Sequence, residues 1–184
     1  MRKVVELETD RLLLRQWKPE DYPIFSEINA DPEVMKYYPR ALNVSESNGL
    51  AHKLATLISE QSWGFWAVER ISDRQFIGFV GLNQPTYPLP VHPCIEVGWR
   101  LAKKYWGQGY DTEAARASLK FGFETLELEA IYSFCSVSNH KSSAVMERLG
   151  MRNCGQNFRH PNIPKDHCLS EHVLYIIAKL PMYA

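Results

Sequence analysis

Trp99-Arg100-Leu101-Ala102-Lys103-Lys104-Tyr105-Trp106-Gly107-Gln108-Gly109-Tyr110-Asp111-Thr112-Glu113-Ala114 joins the end of an apolar strand, through a turn with two glycines, to the opening of a helix. Glycines in such a turn let the backbone approach a ligand closely. The first N–H groups of the helix have no intrahelical acceptor and point the same way as the positive end of the helix dipole. The stretch therefore reads as an anion cradle suited to a phosphate-bearing ligand. A plain tight connection produces the same pattern, so the rest of the chain has to decide between the two.

Upstream of the cradle, Cys94-Ile95-Glu96-Val97-Gly98-Trp99-Arg100-Leu101 alternates strictly. Ile95, Val97 and Trp99 share one face of a strand and Glu96, Gly98 and Arg100 the other, so a carboxylate sits beside a glycine. Gly98 inside a strand marks a bulge or a close backbone approach, and a bulge here would splay the strand from its neighbour. The bland alternative places Glu96 on a solvated strand face.

Working outward, Leu12 and Leu14 alternate with Arg11, Leu13 and Arg15 in a first strand ending near Trp17. A helix from Glu20 to Ala30 follows, stopped by Asp31-Pro32. Ser45 is the expected N-cap of a second helix reaching Gln61, with Leu50, Leu54, Leu57 and Ile58 on its buried stripe. Trp63 to Ile71 and Gln75 to Leu82 flank Ser72-Asp73-Arg74 as an antiparallel hairpin. Pro85, Pro88, Pro90 and Pro93 make the next segment a surface loop. Thr112 to Leu126 is helical, Ile131 to Val137 a strand, and Ser142 to Leu149 a short helix ended by Gly150. Strands near Phe158 and from His172 to Lys179 close the chain. The pattern is α+β (mixed α/β) with no internal repeat.

Composition narrows the function classes. The 184 residues form one expected domain, 1–184. Lys+Arg and Asp+Glu both count 21, so no long-range field draws the molecule to nucleic acid or an anionic membrane, and any anion site must be local. No apolar run reaches membrane-spanning length. Cys94, Cys135, Cys154 and Cys168 show no close pairing and the N-terminus lacks a secretory profile, so a reducing cytoplasm is the expected location. His160, His167 and His172 near Cys154 and Cys168 match no metal-ligand spacing, and no metal is expected.

Continuing from the cradle, helix and strand lead to Asn139-His140-Lys141-Ser142-Ser143-Ala144-Val145-Met146-Glu147-Arg148-Leu149-Gly150-Met151. In that order these elements resemble the GNAT superfamily of acyl-CoA N-acyltransferases. The likeness spans nearly the whole chain, from Glu8-Thr9-Asp10-Arg11-Leu12-Leu13-Leu14-Arg15 to His160-Pro161 and His172-Val173-Leu174-Tyr175. These flanks look like the branch containing the bacterial ribosomal-protein N-terminal (alanine/serine) acetyltransferases. The resemblance implies a central, mostly antiparallel twisted sheet, splayed between the strands at 94–101 and 130–137 and flanked by about four helices.

It also implies acetyl-CoA (coenzyme A) as co-substrate and an amine acceptor, a protein N-terminus or a small molecule, in a monomer or homodimer. Trp106, Gly107, Gln108, Gly109, Tyr110 and Asp111 would offer backbone N–H groups to the pyrophosphate. Trp99, Arg100 and Leu101 would pair with the pantetheine arm as an added strand. Asn139 would bond that arm, and Ser142 would do so from the helix start. Both Asn139 and Ser142 also serve as caps worth about 1 kcal/mol with no ligand.

An amine acceptor arrives as ammonium and needs a base. Glu96 is the candidate, with a freed N–H near Val97 or Trp99 for the oxyanion. Ser142 is the expected donor to the departing thiolate, and Tyr132 and Tyr175 are weaker candidates. The acceptor pocket is expected near Tyr37, Tyr38, Pro39, Trp63, Phe65 and His92.

Asp111 departs from the family pattern, where Gly or Ala is usual. A carboxylate about 6 Å from a phosphate costs on the order of 3 kcal/mol before screening, so its side chain is expected to turn out to solvent. This departure keeps a second class open, a catalytically silent acyl-CoA-binding module. An aminoglycoside, polyamine or amino acid acceptor is a third possibility.

Overall fold

A computed structural model describes residues 3–179. The chain order is β1 (Leu7–Glu8), β2 (Leu12–Arg15), α1 (Asp21–Ala30), α2 (Val44–Gln61), β3 (Phe65–Arg70), β4 (Gln75–Asn83) and β5 (Glu96–Leu101). It continues with α3 (Tyr110–Glu124), β6 (Ala130–Ser136), α4 (His140–Arg148), β7 (Arg152–Asn153), β8 (Phe158–Arg159) and β9 (Glu171–Ala178). Among the described residues these strands make one sheet ordered β1-β2-β3-β4-β5-β6-β9-β7, with β8 also on β9. Every pairing is antiparallel except β5 with β6.

Phe65 and Trp66 show how the sheet is covered. Successive strand residues point to opposite faces: Phe65 meets Phe79 on the face where Trp17 and Phe25 of α1 also pack, while Trp66 meets Phe121 of α3 edge-on. Burial of these rings, with Leu12, Leu14, Ile58, Ile77 and Val80, forms the core.

α2 differs from the expected start. Its N-cap is Asn43, whose side chain accepts from the Glu46 N–H while Glu46 accepts from the Asn43 N–H, a reciprocal pair that Ser45 cannot make from inside the helix. The buried stripe is Ser47, Ala51, Leu54 and Ile58, with Leu57 only half-buried. The polar side of β2 is not solvated either. Arg15 is buried with Asp21 and Glu69, donating to Glu69 at 2.6 Å and bidentately to Asp21 at 2.7 and 2.9 Å.

The expected bulge at Gly98 is absent. β4 and β5 stay in register from Gly78↔Leu101 to Asn83↔Glu96, and the register shift lies in the β3–β4 pairing between Val68 and Glu69, where β4 carries the extra residue Ile77 next to Gly78 at φ 136°. Gly98 instead gives room to a neighbour: a Cβ there would stand 3.1 Å from the Phe65 ring, which would have to shift by a few tenths of an ångström. The splay itself is present, on the other side of β5. One parallel bridge, Glu96↔Tyr132, joins β5 to β6, and the two strands share no ladder beyond it among the described residues.

Candidate active site

The parting of β5 from β6 is built by a short series of bonds. Ile95 O accepts from the Tyr132 N–H at 2.9 Å, and the other bond of that parallel bridge takes the Val97 N–H. Ser133 Oγ then donates to Val97 O at 2.9 Å, which ends the shared edge. The next main-chain groups on that edge belong to Trp99, which faces the gap. Two adjoining cavities fill it, of about 490 and 350 Å³, and both are lined by Tyr37, Tyr38, Trp99, Arg100, Asn139 and Ser142.

The larger cavity lies against the glycine turn. Gly107 and Gly109 adopt φ 71° and 77°, a region costly for other residues, and Gly109 caps α3. Leu101, Trp106, Gly107 and Asp111 line this cavity with Trp99, Arg100, Asn139 and Ser142. Gln108, Gly109 and Tyr110 lie outside its lining. The Gln108 carbonyl accepts from Arg11, whose guanidinium also covers the buried Tyr110 ring. Trp106 Nε1 donates to Leu101 O at 2.8 Å, closing one acceptor at the end of β5.

Asp111 does not turn out to solvent. Its Oδ1 accepts from the Thr112 N–H at 2.6 Å and from Thr112 Oγ1 at 3.1 Å while the residue lines the cavity. An acidic side chain in the first turn satisfies an orphan N–H locally, which favours the helix. Three cations line the same cavity: Arg100, Lys141 and Arg148. The sequence reading missed the last two. Lys141, Val145 and Arg148 follow the i, i+4, i+7 spacing of one helix face, and that signal was available. Three cations and one carboxylate, beside the main-chain groups of Trp99, give this space a charge that suits an anionic ligand.

The smaller cavity holds Glu96. Its Oε1 accepts from Asn83 Nδ2 at 2.7 Å, and no protein donor reaches Oε2 among the described residues. Glu96 is 8% exposed, so the solvated-face alternative fails. Desolvation pushes its carboxyl up to about 7, partly opposed by the Asn83 bond. Tyr37, Tyr38, Pro39 and Phe65 are here as expected, whereas Trp63 and His92 are not. Tyr87 and Phe134 are wall residues not expected there from the sequence, and His160 and His172, expected as structural or rim-lining residues, join them in the wall. Tyr175 donates its hydroxyl to Glu147 at 3.1 Å and Tyr132 lines neither cavity.

Asn139 caps α4, its Oδ1 accepting from the Ser142 N–H at 3.3 Å. Among the described residues the Ser142 hydroxyl has no protein partner, and it borders both cavities.

Residues 11–152 match the acetyltransferase (GNAT) domain. The chain belongs to the GNAT acetyltransferase family. It is therefore an N-acetyltransferase, of a family that uses acetyl-CoA as co-substrate. A GNAT-family acetyltransferase from Bacillus anthracis superposes with a TM-score of 0.77 at 27% identity over 95% of this chain and 98% of that one. The FsC-acetyl coenzyme A-N(2)-transacetylase of Aspergillus fumigatus is 28% identical over 94% of this chain and 76% of its own length. The ribosomal-protein-S5-alanine acetyltransferase of Vibrio fischeri shares the GNAT fold, with a TM-score of 0.73 at 19% identity over 95% of this chain and 96% of that one. Among the described residues, no helix of this GNAT enzyme is long and apolar enough to cross a membrane.

Proposed function

We propose that this enzyme moves an acetyl group from acetyl-CoA to a primary amine by direct attack, with Glu96 as general base. The observation that carries this reading is the Glu96 carboxyl. One oxygen is anchored by Asn83 and the other is free in a cavity that opens onto the cationic one. A base held near 7 can take a proton from an ammonium and still be ionised at neutral pH.

The larger cavity is the donor site. Lys141, Arg148 and Arg100 balance phosphate charge, the Trp99 edge pairs with the pantetheine amides, and Asn139 lies beside them. When bound, acetyl-CoA supplies the thioester carbon that the amine attacks. Glu96 removes the ammonium proton, directly or through a water. The nitrogen bonds to the acyl carbon, and the Trp99 N–H is the donor available to the oxyanion. As the C–S bond breaks, Ser142 donates a proton to the thiolate and is reprotonated by the excess proton on the new amide nitrogen, yielding the N-acetyl product and free coenzyme A. The likeness to the FsC transacetylase and to the S5-alanine acetyltransferase is compatible with a small-molecule or a protein amine.

The two cavities draw on residues from Val34 to His172, which supports one catalytic domain, and the four free cysteines suit a reducing cytoplasm. The test is acceptor-dependent thiol release from acetyl-CoA. Glu96→Gln is expected to lower kcat at least 100-fold, and Ser142→Ala about 10- to 100-fold, each leaving the acetyl-CoA Kd within twofold. Unchanged turnover in either variant removes that residue from its role.

A further inference from the structure

The Glu96 cavity is built largely from rings. Phe134 of β6 lies 5.8 Å from His160 and 6.3 Å from His172 of β9, between centroids. The two histidines are 5.0 Å apart, and Tyr87 from the proline-rich loop lies 5.0 Å from His160. All four line the cavity of about 350 Å³. Burial pushes His160 down to about 4, with His172 beside it adding to the effect, and burial also lowers His172. At neutral pH both therefore present uncharged faces.

Charge in this cavity is sparse. Among the described residues, Glu96 is the one carboxylate in its lining and Arg100 the one fixed cation. Arg100 has no acidic partner among the described residues. It donates to Asn29 Oδ1 at 2.6 Å, its guanidinium lies 4.1 Å from the Tyr38 ring centroid, and its buried Nε has no hydrogen-bond partner among those residues. A second positive charge on an acceptor would find no second carboxylate here and would meet Arg100 instead.

We infer that the acceptor is a monoamine whose single ammonium meets Glu96 and whose aromatic body lies against the wall formed by Tyr87, Phe134, His160 and His172. The inference rests on the reading of Glu96 as the base of an amine acetyltransferase and names its substrate class. Neutral ring faces stack on a flat apolar group and attract a nearby ammonium, while a polyamine or aminoglycoside needs several carboxylates that this cavity lacks. An arylalkylamine and a peptide beginning with an aromatic residue share this chemistry.

Thiol release from acetyl-CoA with the full chain tests it, using phenethylamine, a tripeptide beginning with Phe, one beginning with Ala, spermidine and kanamycin. The better of phenethylamine and the Phe peptide is expected to exceed each of the other three at least tenfold in kcat/KM, and which of the two leads identifies the source of the amine. Tyr87→Ala is expected to raise KM for that acceptor about tenfold with kcat within twofold. Equal or faster release with spermidine, kanamycin or the Ala peptide, or an unmoved KM in Tyr87→Ala, overturns the aromatic-monoamine inference and leaves amine acetylation standing. No release with any acceptor, while calorimetry shows acetyl-CoA bound, overturns the acetyl-transfer reading and this inference with it.

Discussion

Asn83 and Glu96 face each other across the β4–β5 ladder, and the Asn83 amide donates to Glu96 Oε1 at 2.7 Å. The bond fixes the carboxylate without neutralising it, because an amide stabilises the anion less than a guanidinium would. Desolvation therefore dominates and holds the group near 7. Glu96 must be ionised to act as a base, so kcat/KM is expected to rise with pH and level off above about 7. The Asn83→Ala variant loses the donor that favours the anion and should move that inflection upward. Initial rates of thiol release from pH 5.5 to 9 measure both.

The same shift has a consequence for stability with a definite sign. Unfolded, Glu96 titrates near its ordinary 4.5; folded, near 7. The folded state therefore binds this proton more tightly. The resulting stabilisation is fully present below about 4.5 and is lost as pH rises through 7. A shift of this size corresponds to about 3 kcal/mol. Glu96→Gln keeps the shape without the charge, so it should unfold at a higher temperature than the parent at pH 8. The difference should shrink toward zero at pH 4.5. Thermal denaturation at the two pH values checks it.

The register of the site was legible where a short-range rule sets it. Alternation placed Glu96, Gly98 and Arg100 on one face of β5, and the glycine turn and Asn139 marked the two helix starts beside the cleft. Contacts between distant segments were not legible. Nothing near Gly98 announces Phe65 against it, and the splay comes from Ser133 taking Val97 O across a crossover rather than from a bulge in β5. Tyr87, Phe134, His160 and His172 are far apart in the chain, so only the sheet order that sets β9 beside β6 brings them together. β1 and β7 are two residues each, too short to show any periodicity.

Arg15, at the end of β2, holds two carboxylates in the interior. Its side chain is 4% exposed, and those of Asp21 and Glu69 are 3% and 5%. Burial works against the guanidinium charge, but its bonds to the two carboxylates overcome this and raise its pKa above the ordinary value. Arg15→Met leaves the pair without its shared partner. Lys18 and Arg74 reach Glu69 from the surface at 3.3 Å, so Asp21 suffers the larger loss. Removing one member of a buried ion network costs about 3–5 kcal/mol. Urea denaturation should show that loss in Arg15→Met. The triple variant Arg15→Met, Asp21→Leu, Glu69→Leu should recover most of it, since it leaves no orphaned charge in the interior; Lys18 and Arg74, which lose Glu69, stay at the surface.

Asp111 Oδ1 occupies the Thr112 N–H, a first-turn donor of α3, at 2.6 Å. Asp111→Ala therefore has two expected effects of opposite sign. The helix loses an acidic residue in its first turn, a cost of about 0.3–1 kcal/mol. Acetyl-CoA is freed from a like charge in the cavity that Asp111 lines. An isolated carboxylate about 6 Å from a phosphate would cost on the order of 3 kcal/mol, which corresponds to more than 100-fold in affinity. Arg100, Lys141 and Arg148 line the same cavity and offset most of that repulsion. The expected gain is about tenfold in Kd by calorimetry, and it should shrink as salt is raised because the difference is electrostatic. Weaker binding by Asp111→Ala would mean that the carboxylate holds the turn in its binding shape rather than competing for it, and Asp111→Asn, which can still accept from Thr112, would then restore the parent affinity.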